Sequence, residues 1–125
     1  MNTDEYLKLV EEHPDLTAHG FGAEVDRTMG LTYAETFEFE REELRRAFRE
    51  FELTCEWIAR NPELKGRISA YHWKHEVENW LRTGNIKPDH IAQGVFILAA
   101  LHLGYKIHRI RGDIGARIGK KEVKS

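Results

Sequence analysis

The fold is decided by residues 91–103, which read IAQGVFILAALHL and are apolar on almost every side of a helix. A helix that is apolar all round is buried all round, so we predict that the rest of the chain packs around this segment. Pro88 and Asp89 suit the start of this helix, and Gly104 is the expected stop. Gly94 costs such a helix about 1 kcal/mol of propensity, which predicts a close approach of another chain segment to its bare backbone.

Three amphipathic helices are predicted upstream of this segment. The first covers residues 3–13, because Pro14 pushes the residue before it out of the helical conformation. The second covers residues 36–61 and carries an apolar stripe on one face, formed by Leu44, Phe48, Phe51, Cys55 and Ile58. The third covers residues 70–82 and is capped by Ser69.

The remaining segments predict a loop and a small β element. Residues 15–31 lack periodicity and contain three glycines, so we expect a loop there with one helical turn at residues 24–29. Residues 105–110 alternate apolar and polar side chains, which is typical of a short edge strand or hairpin. Residues 113–125 are expected to form a frayed basic tail. These patterns predict one mainly α domain over residues 1–125, built around a buried central helix, with a short C-terminal strand or hairpin.

Charge is divided unevenly along the chain. The formal net charge is -2, but residues 1–66 carry -8 and residues 103–125 carry +5. The N-terminus is polar and acidic, unlike a signal peptide, and the longest apolar run is too short to span a bilayer. We therefore expect a cytoplasmic protein that does not insert into membranes, of undetermined oligomeric state. The single Cys55 cannot form an internal disulfide and is expected to be buried and free.

A group of histidines and glutamates at residues 72–78 is the first candidate for chemistry. His72 and His75 lie one helical turn apart and, with Glu78, could hold a metal ion or form the centre of a His-based hydrolase. The second histidine of a zinc-protease motif is missing, since Asn79 stands in its place. Because no nucleophile or cofactor motif accompanies the group, the sequence favours a structural role, with no cofactor and no enzymatic activity.

Two polar residues on the central helix need internal partners. Gln93 is expected to bond to Tyr71, to His75 or to backbone, which would tie the last two helices together. His102 is expected to be a core histidine that is bonded to a carbonyl or a carboxylate.

A family resemblance is carried by two stretches, SAYHWKHEVE at residues 69–78 and QGVFILAALHLGY at residues 93–105. They resemble a family of small proteins carried by phages, plasmids and other mobile elements, whose pattern is Ser-Tyr, Lys-His and Glu, then Asn-Gly, an Ala-Ala pair and Gly-Tyr or Gly-Phe. This chain spreads the Ser-Tyr pair and has glutamine in place of the asparagine. The resemblance implies a set of signature residues: Ser69, Tyr71, Lys74, His75, Glu78, Gln93 and Gly94. It covers about a third of the chain and supplies a biological context without a mechanism.

The leading functional hypothesis is a non-enzymatic interaction protein of a phage or plasmid that docks onto a host protein or nucleoprotein complex. Its most concrete form is an inhibitor of a nucleic-acid-targeting defence system, similar to an anti-CRISPR protein, whose acidic surface mimics a phosphate backbone. The expected members of that surface are Glu38, Glu40, Glu42, Glu43, Glu50 and Glu52. The main alternative is a nucleic-acid-binding protein that uses the basic C-terminal segment, with Lys106, Arg109, Arg111 and Arg117.

Overall fold

The computed structural model describes residues 1–64 and 68–122. Over these residues the chain is mainly α-helical with a small antiparallel sheet, which confirms the predicted fold class. The helices are α1 (Thr3–Glu11), α2 (Tyr33–Arg45), α3 (Phe48–Arg60), α4 (Ala70–Thr83) and α5 (Gln93–His102). The strands are β1 (Ile68–Ser69), β2 (Tyr105–Arg109) and β3 (Ala116–Lys121), and a short 3-10 turn spans Arg27–Met29 within the long loop.

Helix α5 lies at the centre of the core, as predicted. Its apolar residues from Val95 to Ala100 are at most 1% exposed, and α3, α4 and the sheet pack around it. The N-terminal loop crosses the first turn, where the Gly94 N–H donates to the Ala18 carbonyl over 2.8 Å. A β-carbon on Gly94 would lie 1.8 Å from the Thr17 carbonyl oxygen. The predicted close approach to Gly94 is therefore confirmed.

The start of α5 differs from the prediction, whereas its end agrees, because Leu103 caps the helix and Gly104 follows with a positive φ. The helix begins at Gln93, four residues after Asp89, and Ala92 has an extended backbone. The Ile91 N–H, which would have no intrahelical partner in a first helical turn, donates to a carboxylate of α4. At the other end His102 is exposed, with its ring 5.6 Å from that of Phe51, so its prediction as a core histidine was wrong.

The predicted helix over residues 36–61 is two helices, α2 and α3, with a break at Arg46 and Ala47. Tyr6 of α1 fills the elbow between them. Its hydroxyl donates to the Leu44 carbonyl, and its ring lies 5.0 Å from that of Phe51. No glycine or proline marks the break, so local helix propensity does not explain the bend. The packing of the two helices against α1 does.

The sheet has the order β1-β3-β2, so β2 is an edge strand as predicted and β3 is the central one. Residues 113–122 are not a frayed tail, because β3 pairs with both neighbours and buries Ala116 and Ile118 completely. Ile118 lies opposite Ile107 in the register and extends the core beneath α5. The rest of the predicted tail, residues 123–125, lies outside the described residues.

Candidate functional site

Two features position the signature residues on α4. One is the Ser69 cap, which was predicted, and the other is the burial of Lys74 and Glu78, which was not. The Ser69 hydroxyl accepts a hydrogen bond from the His72 N–H over 3.2 Å, which confirms the predicted start of the helix. Lys74 and Glu78, although both carry a charge, lie on the buried face of α4 together with Val77. Two charged groups therefore face the core, where each needs a partner.

The Glu78 carboxylate holds the segment before α5 against α4. Its side chain is 2% exposed. One oxygen lies 2.9 Å from His75 Nδ1, and the other accepts from the Ile91 N–H over 2.8 Å and lies 3.1 Å from His90 Nδ1. Because both carboxylate oxygens have partners, burial of this charge is compensated. The sequence gives no local signal for the role of His90, since nothing marks a histidine just before a helix.

Lys74 is the least satisfied member of this cluster. Its side chain is 10% exposed, and its ammonium lies 3.8 Å from the nearer Glu78 oxygen, too far for a hydrogen bond. The ammonium also lies 5.2 Å from the centre of the Tyr71 ring, which places it over the electron-rich face. Lys74 thus keeps its hydrogen-bond donors free with respect to the residues that the structure describes.

The N-terminal loop brings a second cluster to the same region. The Gln93 side-chain amide donates to the His19 carbonyl over 2.8 Å, so its predicted internal partner is backbone, but in the loop rather than in α4. The His19 ring lies 3.6 Å from Glu24, 3.6 Å from Glu40 and 3.7 Å from Glu43, measured between nitrogen and oxygen. Sequence reasoning missed His19 and Glu24, because the loop has no periodicity from which their positions could be read.

Residues of both clusters line one cleft of about 280 Å³. Its walls are formed by Ala18, His19, Glu24, Glu43, Tyr71, Lys74, His90, Ala92 and Gln93. We call this the Lys74 cleft. The wall from α4 and the segment before α5 carries Lys74 and His90, whereas the wall from the loop and α2 carries Glu24 and Glu43.

A second depression, the α2 groove, adjoins this cleft and has a volume of about 210 Å³. It is lined by His19, Glu24, Asp26, Met29, Leu31, Thr36, Phe39, Glu40 and Glu43. Met29 and Phe39 are 66% and 65% exposed, and Leu31 is 38% exposed. Large apolar side chains that are exposed together and bordered by carboxylates are typical of an interaction surface.

The six glutamates that were predicted to form one acidic surface have different environments in the structure. Arg45 contacts both Glu38 and Glu42, at 2.9 Å and 3.2 Å, and these pairs neutralise much of that part of α2. Glu52 lies 3.8 Å from Arg49. Glu40 is buried, and the Glu24 N–H donates to it. Glu50 is half-buried on α3, and only Glu43 borders the groove and the cleft.

Of the four basic residues that were predicted to bind nucleic acid, one is held in an ion pair and three are not. The Arg109 guanidinium is held by Asp15 at 2.7 Å and lies 4.3 Å from the centre of the Phe21 ring. Lys106, Arg111 and Arg117 are exposed and have no ion pair within the described parts of the chain. Arg117 lies opposite Ser69 on one side and His108 on the other, on the outer face of the sheet.

The proposed metal centre is not assembled as the spacing suggested. His72 packs its ring edge-to-face against Trp73, 5.1 Å between centres, away from Glu78. Within residues 1–64 and 68–122, no three His, Cys, Asp or Glu side chains are placed to hold a metal ion. The free Cys55 is half-buried, and burial raises the pKa of its thiol to about 12, so it is protonated at neutral pH.

The fold defines a small, mainly α class of protein with a three-stranded antiparallel sheet against its central helix. No family model, no curated protein and no solved structure matches the chain significantly. No helix in the described residues has the length and apolarity needed to cross a membrane.

Glu40→Gln is expected to make stability less dependent on pH. Burial raises the pKa of the Glu40 carboxyl; the Glu24 N–H and His19 lower it in part, whereas the charges of Glu43 and Glu24 raise it further. Stability from the protonated form is complete below the ordinary pKa of 4.5 and is lost as the pH rises through the folded-state value. The variant should therefore gain stability relative to the wild type as the pH rises through that window.

Urea denaturation of the Glu40→Gln variant and the wild type between about pH 4 and pH 8 measures this difference directly. Glu76→Gln, on the exposed face of α4, is the matched control and should show no such trend. A difference in unfolding free energy between the Glu40 variant and the wild type that stays constant with pH would contradict the prediction.

Proposed function

We propose that this protein is a non-enzymatic binding module whose α2 groove docks onto a basic, partly apolar segment of a host protein. The single observation that carries the proposal is the exposure of Met29, Leu31 and Phe39 around a depression bordered by carboxylates. Complexes that target nucleic acids carry basic surfaces for phosphate, so they are the leading class of partner. The resemblance to mobile-element proteins supports an inhibitor of a host defence complex as the biological role.

The apolar part of the groove would supply most of the affinity. Exposed aromatic and methionine side chains are enriched at the centres of protein interfaces, because they bury a large area at a small entropic cost. Phe39 lies on the solvent side of α2, where a phenylalanine contributes nothing to the core. An approaching apolar side chain would contact Phe39 and Met29 together.

The charged part of the groove would select a partner whose surface carries positive charge. Glu24 and Glu43 border the depression, and hydrogen bonds from Thr28 lower the pKa of the Asp26 carboxyl, so that it is ionised at neutral pH. Charge complementarity at a rim favours the correct partner and speeds association. The proposal thus revises the predicted acidic surface: Glu43 remains, and Glu24 and Asp26 take the place of the arginine-paired glutamates.

Fluorescence anisotropy with two labelled helical peptides tests the proposal. Both peptides carry leucines at the same helical spacing; one has lysines and arginines on its polar face, and the other has glutamates and aspartates. The protein should prefer the cationic peptide. Phe39→Ser and the double variant Glu24→Lys/Glu43→Lys should each weaken its binding by about tenfold or more, ~1.4 kcal/mol.

Two matched variants control for general effects of polarity and charge. Leu7→Ser removes an exposed apolar side chain of α1, and Glu76→Lys reverses an exposed charge of α4, both outside the groove. Neither should change the affinity for the cationic peptide. Equal binding of the two peptides, or loss of binding in the controls alone, would overturn the docking proposal.

A second candidate function is nucleic-acid binding by the outer face of the sheet. It is favoured by the exposed and unpaired state of Lys106, Arg111 and Arg117 among the described residues. Mobility shifts of a labelled duplex should weaken steeply as salt rises, and Lys106→Ala/Arg117→Ala should reduce both the affinity and the salt slope. Arg46→Ala, which removes an exposed cation just after α2, is the control. A shift that is absent or independent of salt removes this candidate.

A further inference from the structure

We infer that the Lys74 cleft is a binding site for a small zwitterion, with an oxyanion at the Lys74 end and a cationic amine at the Glu24 and Glu43 end. The inference begins from the charge and burial of Lys74, which does not line the α2 groove, although Glu24 and Glu43 border both depressions.

The first observation is a largely buried lysine side chain whose ammonium has no hydrogen-bond acceptor among the described residues. Removing a charged amine from water is costly unless hydrogen bonds replace the lost hydration. Lys74 has nine-tenths of its side chain buried, yet its only carboxylate neighbour among the described residues is Glu78 at 3.8 Å. Because Lys74 lines the cleft, the remaining place for an acceptor is the cleft itself.

The second observation is that Glu78 is already engaged by other groups. Its oxygens face the Ile91 N–H, His75 and His90 at 2.8 to 3.1 Å. The charge of Lys74 is therefore only partly compensated within the protein. A carboxylate or phosphate oxygen in the cleft could accept from Lys74 at hydrogen-bond distance, as Glu78 does not.

The neighbouring groups suit an oxyanion at that end. His90 turns Nδ1 toward Glu78, which leaves Nε2 as the ring nitrogen available to a ligand. In its imidazolium form, that nitrogen donates to an oxyanion. The Tyr71 hydroxyl and the second N–H of the Gln93 amide belong to the same lining and are further donors.

The opposite wall sets the other end of the ligand. Glu24 and Glu43 border the cleft with exposed side chains, and His19 between them is the nearest basic group. These carboxylates repel a polyanion and attract an amine. The volume of about 280 Å³ lies just below the range of roughly 300–1,000 Å³ that is typical of small-molecule pockets, which suits a small metabolite.

The test is an NMR titration of the full chain with defined probes. The zwitterionic probes are ω-amino carboxylates of increasing chain length and O-phosphoethanolamine, which separate a carboxylate from a phosphate as the source of the oxyanion. Butyrate, ethyl phosphate and butylamine each lack one of the two charges. Backbone amides of Lys74, Gln93 and Glu24 and the ring signals of His19 and His90 report on occupancy.

At least one zwitterion should give a saturable shift at both walls, with at least about tenfold higher affinity than either singly charged analogue. Lys74→Met should abolish that shift, whereas Lys87→Met, an exposed lysine paired with Asp89, should leave it unchanged. If Lys74→Met does not fold, Glu43→Gln on the exposed wall decides, because it should weaken only probes with an amine. No saturable shift with any probe, or equal binding of zwitterions and singly charged analogues, would overturn the inference.

Discussion

Gly94→Ala is expected to lower the free energy of unfolding by more than about 3 kcal/mol, because the new methyl group would collide with backbone and not with a movable side chain. Its β-carbon would lie 1.8 Å from the Thr17 carbonyl oxygen and 2.9 Å from the Ala18 carbonyl carbon. To relieve this contact, the loop must move away from α5. That movement breaks the 2.8 Å bond from the Gly94 N–H to the Ala18 carbonyl and the bond from Gln93 to the His19 carbonyl.

Thermal and urea unfolding of the Gly94→Ala variant measure this loss. The matched control is Gly84→Ala, at the end of α4, where a β-carbon would approach the flexible end of Ile86 at 3.3 Å and the Trp80 carbonyl oxygen at an ordinary 3.6 Å. The control should change stability by less than about 1 kcal/mol. Similar losses in both variants would show that the loop does not press on α5, and would remove the structural reason for the glycine in the signature.

The parts of the fold that were predictable depend on local patterns. Each correctly predicted feature is encoded by a few neighbouring residues. These features are the Ser69 cap, the strand β2 and the apolar character of α5 on all its sides. Gly94 belongs with them, since a glycine within an otherwise strong helix signals a neighbour that needs the space.

The parts that were not predictable depend on groups that are far apart in the chain. The elbow between α2 and α3 is set by Tyr6, and β3 becomes a central strand only because β1 pairs with its other edge. A short strand whose apolar residues are only Ala116 and Ile118 has too weak a pattern to be told from a loop.

In the candidate site, too, local features were predictable and contacts between distant parts of the chain were not. The i, i+4 spacing lets Lys74 reach Glu78, but a polar pair at such positions is usually solvated. Their burial follows from the packing of α4 on α5 and from the Ile91 N–H, which needs an acceptor. The other wall, with His19 and Glu24, comes from a loop that is held by contacts with Gln93 and Gly94 as well as by bonds between its own Thr17 and Gly20.

Glu78→Ala is expected to be the second most damaging substitution, with a loss of about 3–5 kcal/mol in unfolding free energy. The variant leaves the buried Ile91 N–H without its 2.8 Å acceptor and leaves the Lys74 ammonium without its nearest carboxylate. Glu78→Gln keeps one acceptor for Ile91 and should cost less, about 1–3 kcal/mol. Glu76→Ala, two residues away on the exposed face of the same helix, should change stability by less than about 0.5 kcal/mol.

Hydrogen exchange separates this explanation from a general weakening of α4. Loss of the Glu78 acceptor should raise exchange first at Ile91 and in the extended segment before α5, while the amides of the α4 interior stay protected relative to global unfolding. Because that segment carries His90 and leads into Gln93, its release would also separate the two walls of the Lys74 cleft. Two results would contradict this explanation: equal losses of stability in Glu78→Ala and Glu78→Gln, or a uniform rise of exchange along α4. In either case the carboxylate does not hold the segment before α5 against α4, and the cleft must be held open by the loop contacts alone.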